Sequence, residues 1–201
     1  MSNCIASRLL LLVAFCAVQS SSLFAQTRTF EIVLFGHVIG EMSITKTHQA
    51  DGSDLYTLDS KSEAKILWIN RSNTSHYDVV YKDGKLISSS HIERENGRLS
   101  RWTKVRFDGK VYQVESYKGK RTFTEAPDYS IVTIYCDGKR NDRKIFYEAE
   151  AEFNEVSWPD ANTMEFKSGE GNRNVYHYVN GKVHDMEFHV SIATVYMRQK
   201  Q

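Results

Sequence analysis

Seven glycine dipeptides punctuate the chain: Asp51-Gly52, Asp83-Gly84, Asn96-Gly97, Asp108-Gly109, Lys118-Gly119, Asp137-Gly138 and Asn180-Gly181. Asp-Gly and Asn-Gly tolerate the positive φ of a type I′ turn. Between runs of alternating polarity they are the strongest short-range hairpin signal. Four of the seven fall between residues 83 and 119, at intervals of 10 to 13 residues. That is the spacing of a meander of short antiparallel strands.

A two-residue loop also fixes which residues face each other, and strand side chains alternate in direction, so each face can be followed from turn to turn. One face then collects Tyr77, Val79, Tyr81, Leu86, Ile92, Leu99, Val105, Phe107, Tyr112, Val114 and Phe123. The other collects His76, Asp78, Lys82, Lys85, Ser89, His91, Glu93, Arg98, Lys104, Arg106, Gln113 and Glu115, with Val80, Ile87 and Trp102 as its apolar exceptions. Four separately placed turns agree on one apolar and one polar face, which predicts a sheet covered on one side.

The flanks continue the pattern. Thr29–Phe35 and Val38–Lys46 read as a hairpin around Gly36-His37. Leu55–Trp68 alternates with Tyr56, Leu58, Ala64, Ile66 and Trp68 on one side. Lys144–Val156, Thr163–Lys167, Asn172–Val179 and Lys182–Met197 resume as strands. Between them, Asp128–Cys136 fits either a short helix capped by Asp128 or a β-branched strand, with the helix favoured. The fold class is therefore mainly β: an antiparallel meander forming a curved sheet or open barrel, with at most one or two short helices.

Arg8 is the only charge before residue 28. The apolar run Leu9–Val18 follows it, and then a small-residue stretch ending at Ala25. A positive start, a short apolar run and a small-residue exit mark a secretory signal peptide, too short to span a bilayer. Cleavage is expected after Ala25, with Ser22 as the alternative. The domain plan is thus a signal peptide over 1–25 and a single β domain over 26–201, in a protein exported to the periplasm or outer envelope. Without the leader, 25 basic and 25 acidic side chains remain. That balance gives no long-range attraction to nucleic acid, and no apolar run in the mature part reaches the length of a membrane span. Cys136 is the one cysteine left, so an internal disulfide is excluded and a buried apolar role expected.

Three strings occur in order behind the leader: Phe35-Gly36-His37-Val38-Ile39-Gly40-Glu41-Met42-Ser43-Ile44, Tyr81-Lys82-Asp83-Gly84-Lys85-Leu86-Ile87-Ser88-Ser89 and Val175-Tyr176-His177-Tyr178-Val179-Asn180-Gly181-Lys182-Val183. With them the chain resembles, over residues 28–197, the exported bacterial proteins grouped as domain-of-unknown-function family 6134. Asp137–Arg143 is more charged than that resemblance implies. The family brings no catalytic residues to carry over. By looser analogy of fold, the chain is similar to the curved open sheets of periplasmic lipoprotein carriers.

The motifs that could carry chemistry are few. An ideal register around Asn180-Gly181 sets His177 opposite His184, and one through the meander sets His76 opposite His91, in a row with Trp102 and Glu115. Neither forms a convincing metal set: the first lacks a third ligand beside Lys182, and the second is broken by Trp102. No nucleophile motif is present, and Gly169-Glu170-Gly171 is too short for a phosphate loop. Catalytic, metal and cofactor sites are accordingly expected to be none. The apolar face instead carries small polar residues that leave room for a ligand. The expected ligand-lining set is Tyr77, Val79, Ser88, Ser90, Thr103, Val105, Tyr112 and Ser116. Ile66-Leu67-Trp68-Ile69, apolar on both sides, reads as core or as an edge touching a membrane or partner. The leading functional reading is a non-catalytic envelope binding module that holds a lipid or hydrophobic partner segment. The alternatives are a structural or interaction protein whose apolar face is filled by its own chain, and a hydrolase with a scattered His/Asp site.

Overall fold

The computed structural model describes residues 25–66, 69–190 and 193–200. The expected signal peptide lies outside them except for Ala25, as does the Leu67-Trp68 part of the Ile66–Ile69 run. Fourteen strands form one antiparallel sheet among these residues. They are β1 (Ala25–Leu34), β2 (His37–His48), β3 (Ser53–Ile66), β4 (Ile69–Lys82), β5 (Lys85–Glu95), β6 (Arg98–Phe107), β7 (Tyr112–Ser116) and β8 (Gly119–Phe123), then β9 (Lys144–Tyr147), β10 (Glu152–Asp160), β11 (Thr163–Lys167), β12 (Arg173–Val179), β13 (Lys182–Val190) and β14 (Ala193–Gln199). Each strand pairs with its neighbour in sequence on both sides of one central junction, where β1 meets β14; β8 and β9 are the two outer edges.

Four hairpins share one construction. At Phe35-Gly36, Asp83-Gly84, Asn96-Gly97 and Asn180-Gly181 both turn residues have positive φ, as a type I′ turn requires. In each, the register slips by one residue just beyond the turn, and the extra residue is the third after the glycine: Ile39, Ile87, Ser100 and His184. Such a bulge adds local right-handed twist and bends its strand, which is how a long meander curls instead of lying flat.

The bulges correct the ideal register. Tyr81 faces Leu86 as the turn dictates, but beyond Ile87 the pairs become Val80 with Ser88 and Tyr77 with His91. Ser88, Ser90 and Ile92 therefore turn to the outer face, while Ser89 and His91 turn inward and are buried. The second slip, at Ser100, cancels the first, so Thr103 and Val105 return to the predicted side. Leu99, on the turn side of that slip, is exposed and not in the core. The next two loops also differ from expectation. Phe107 pairs with Tyr112 across a four-residue loop, and Ser116 pairs with Gly119 across Tyr117-Lys118. Both shifts are even, so the faces survive: Val79, Tyr81, Leu86, Val105, Tyr112 and Val114 are all buried.

The sheet curls until its edges approach. No backbone ladder joins them among the described residues; side chains close the seam. Phe123 of β8 packs against Phe146 and Phe153, with ring centroids 5.6 and 6.2 Å away, and Arg121 donates to Glu152 Oε1 at 2.7 Å and to the Ala151 carbonyl at 2.9 Å. The interior is filled at one end by the segment after β8. Its helix α1 (Ile131–Asp137) has every residue from Ile131 to Cys136 buried, and it touches β1, β2, β3, β9 and β13. The helix alternative is thus the observed one, although Ser130, not Asp128, is its first cap; the Ser130 N–H meets Thr133 Oγ1 at 3.0 Å.

The plug is fastened by polar contacts. Buried Arg28 donates to the Tyr135 and Val183 carbonyls, and Lys182 donates to the Cys136 carbonyl at 2.7 Å. Asp137 accepts from Lys46 at 2.7 Å and from Tyr56 at 2.6 Å. Arg28 and Lys182 thereby satisfy the Tyr135 and Cys136 carbonyls, which a helix end otherwise leaves unpaired. The charged stretch beyond serves the same end: Arg140 pairs with Asp128 and Asp142 and lies 4.8 Å from the centre of the Tyr129 ring.

Candidate functional site

Antiparallel pairing places the turns after β2, β4 and β12 at the plugged end of the barrel, and those after β1, β5, β7 and β11 at the other end. Between the plug and that second end lies a cavity of about 210 Å³. Its floor is Ile131, Val132 and Tyr135 of α1. Its walls are Met42, Leu58, Tyr77, Tyr147, Phe166, Tyr176, Phe188 and Met197. Polar side chains enter it only from the strand portions nearer the open end: Ser60, Asn73, Ser75, Glu93 and Asn174. Alternation explains the composition, because each strand contributes one inward residue in two. The curl of the sheet brings inward positions from both halves of the chain together.

The polar side is internally bonded. Asn73 Nδ2 donates to Glu93 Oε1 at 2.7 Å, and Arg101 stands 3.7 Å from the other Glu93 oxygen and 2.8 Å from Glu170. Ser75 Oγ lies 3.1 Å from His91 Nε2. His91 is stacked on Tyr77 with centroids 4.3 Å apart, and its Nδ1 has no partner. Burial, with the positive charge of Arg101 second, lowers the His91 pKa to about 4. The imidazole is therefore neutral near pH 7. Chemically, the arrangement can bury an apolar group of modest size while amide, hydroxyl and carboxylate groups meet a polar end. At about 210 Å³ it falls below the ~300 Å³ at which pockets for drug-sized ligands begin, so it suits one narrow apolar moiety.

Of the eight residues expected to line a ligand, Tyr77 alone lines this cavity. Val79, Val105 and Tyr112 are inward but packed in the core; Tyr112 donates to the Leu86 carbonyl at 3.1 Å. Thr103 is inward, buried and bonded to the Ala149 carbonyl at 2.7 Å. Ser116 lies near the β8 edge with its hydroxyl 3.2 Å from the Gly119 carbonyl. Ser88 and Ser90 are corrected to the outer face by the Ile87 bulge. The residues that sequence reasoning missed, Met42, Phe166, Tyr176, Phe188 and Met197, lie on other strands. Their alternation was readable, but not the curl that turns them toward Tyr77.

The histidine pairings are corrected by the same slips. His184 is a bulge residue and His177 faces Asp185. The groups that meet are His177 and His189, which hold the two oxygens of Glu187 at 3.1 and 3.0 Å. His76 faces Ile92, not His91, and its ring sits between Asp59 at 2.7 Å and Asp78 at 3.0 Å, the Asp59 hydrogen bond raising its pKa. It borders a broad outer-face depression of about 760 Å³ whose rim includes Glu31, Glu41, Lys61 and Lys200. That depression is shallow and charged, unlike the apolar interior. Among the described residues no group of three His, Cys, Asp or Glu side chains is placed to hold a metal ion.

Two further buried titratable groups lie outside the cavity lining. Glu148 is fully enclosed, one oxygen 3.3 Å from the Val132 N–H and the other unpartnered, and desolvation pushes its pKa up to about 7. The Cys136 thiol is buried and pushed up to about 11 by desolvation, with Asp137 adding to it, which keeps it protonated.

The comparisons with known proteins bear on the fold. The profile of the family described as Domain of unknown function (DUF6134) matches residues 30–200. A solved structure is similar over most of both chains: the beta-barrel-like protein of domain of unknown function DUF1849 from Brucella abortus. It shows a TM-score of 0.62 at 10% identity and covers 89% of this chain and 97% of that one. At that identity the likeness shows a shared fold. No curated protein matches the chain.

Proposed function

The chain belongs to the DUF6134 family of unknown function, and from that premise we propose that it is a non-catalytic binding module that holds the apolar end of a lipid or of a hydrophobic partner segment inside its barrel. The observation that carries this reading is the cavity between α1 and the open end, with apolar walls and floor and a polar side formed by Asn73, Ser75, Glu93 and Asn174. A core built for stability alone is packed to crystalline density, and enclosed empty volume costs free energy in proportion to its size. Space left beside half-buried polar groups fits a ligand with an apolar tail and a polar head. The leader pattern of residues 1–25 supports placing the protein in the cell envelope, where such ligands are met. N-terminal sequencing of native protein, starting near Gln26, tests that placement.

The test of binding is titration with a fluorescent fatty-acid analogue. Wild type is expected to take up the probe. Ser75→Phe, which places a large ring in the cavity, should abolish uptake while the protein still unfolds cooperatively, because empty volume accepts the added atoms. If wild type takes up no probe and Ser75→Phe loses about 1–3 kcal/mol from overpacking, the interior is a finished core and the structural reading replaces this one.

A further inference from the structure

The open end of the barrel carries most of the exposed apolar surface. Phe35 and Val38, at the β1–β2 turn, are 69% and 60% exposed, and Leu99, just after the β5–β6 turn, is 52% exposed. Tyr117 and Val190 are exposed at further turns of this end; the plugged end shows only Ile87 and Val179 among the described residues. Large apolar side chains on turn tips cover no core of their own.

The β3–β4 hairpin extends this end. β2 pairs with β3 only as far as Ser62, and β5 pairs with β4 only from Asn73. Residues 63–66 and 69–71 therefore ladder only with each other, while Ser72 is held on its N–H and its carbonyl by Asn96 of the β5–β6 turn. Cations accompany it. The ion pairs at this end include Lys61–Glu63, Arg101–Glu170 and Lys120–Glu115, and among the described residues they leave Lys65, Arg71, Arg98 and Lys118 without an ion pair, against Glu95 and Glu150 as unpaired carboxylates.

From these observations we infer that the open end docks on an anionic lipid surface, with Phe35, Val38 and Leu99 entering the headgroup boundary and Arg71, Arg98 and Lys118 meeting lipid phosphates. A protein partner would be matched by one continuous apolar face. Here the apolar groups are divided among several turn tips, Phe35 and Val38 on one and Leu99 and Tyr117 on others, with Arg98 and Lys118 beside the latter two, which suits an apolar boundary lined with anionic headgroups. The polar side of the cavity lies toward the same end, so docking would set that side against the layer from which an apolar chain could enter. This last point rests on the binding reading above; the docking does not.

Co-sedimentation with vesicles tests the inference. The protein is mixed with vesicles of phosphatidylcholine alone or with about a third phosphatidylglycerol. Binding is expected to the anionic vesicles, to weaken as salt is raised, and to fall roughly tenfold or more in Phe35→Glu/Val38→Glu/Leu99→Glu. Arg98→Glu/Lys118→Glu should remove the preference for anionic vesicles. These positions are exposed, so far-ultraviolet circular dichroism and thermal unfolding should match wild type. Ser75→Phe should bind vesicles normally while losing probe uptake, which separates failure of the docking from failure of the cavity reading. Absence of vesicle binding at low salt overturns the inference. So does a triple variant that still binds, or a wild-type dimer that the triple variant breaks without any change in lipid binding.

Discussion

Two buried side chains should give this protein opposite responses to pH. The His91 pKa falls from 6.5 to about 4 on folding, so the unfolded chain binds the extra proton and stability is lost as pH drops from about 6.5 to 4. The Glu148 pKa rises from 4.5 to about 7, so the folded chain holds the extra proton and stability is lost as pH rises from about 4.5 to 7. Each shift is worth on the order of 3 kcal/mol as an upper figure. The slopes oppose between pH 4.5 and 6.5, where stability should be nearly flat. Denaturant unfolding across pH 4 to 8 checks this: Glu148→Gln should leave an uncompensated rise in stability from about pH 4 to 6.5, and His91→Gln an uncompensated fall from about pH 4.5 to 7. Both groups are polar residues in an apolar interior. Alternation alone put His91 on the wrong face, because nothing in Ile87 or Ser100 as residue types announces a bulge. Val105 was readable, since two slips cancel before it. Val105→Asp should leave no cooperative unfolding transition, while Lys104→Asp on the opposite face should cost under about 0.5 kcal/mol.

Within each hairpin, turn and bulge divide the labour: the turn sets which strands pair, and the bulge sets how sharply they twist. Three of these turns were legible because positive φ selects Asn, Asp and Gly; the first, read around Gly36-His37, is centred on Phe35-Gly36 instead, with Phe35 itself at positive φ, and the bulges were not legible, because the extra residue can be Ile, Ser or His. Gly40 shows what a bulge asks of its surroundings. A Cβ there would lie 2.1 Å from the Lys61 carbonyl oxygen and 2.6 Å from Ser62 Cα, both backbone atoms of β3. The second glycine of the Phe35–Ile44 string thus has a physical reason that only the pairing reveals. Gly40→Ala should force β2 and β3 apart and cost about 2 kcal/mol or more. Gly97→Ala meets no atom within 4 Å but must hold a φ of +76°, at about 1–2 kcal/mol. Thermal unfolding of the pair should rank Gly40→Ala as the less stable.

At the scale of the molecule, local patterns foretold a curved meander but not the plug or the cavity, since both depend on strands far apart in sequence facing each other across the barrel. The plug is held by long-range polar contacts from Arg28, Lys46, Tyr56 and Lys182. Arg28→Met should leave the Tyr135 and Val183 carbonyls without their donor and cost about 1–3 kcal/mol, read by denaturant unfolding. The order of strands has a further consequence for assembly. Every pairing joins sequence neighbours except β1 with β14, so each half can zip up as it is made while one side of β1 stays bare until residues 193–199 arrive. β14, the last in chain order of the fourteen described strands, is the keystone of the sheet, not its hem. During synthesis the apolar run Phe30-Glu31-Ile32-Val33-Leu34 waits as an open template for any passing strand. A chain ending at residue 192 would lack β14 and so be cut through the middle of its sheet, and it should aggregate, whereas a nick in the 124–126 link, beyond the β8 edge, should be tolerated.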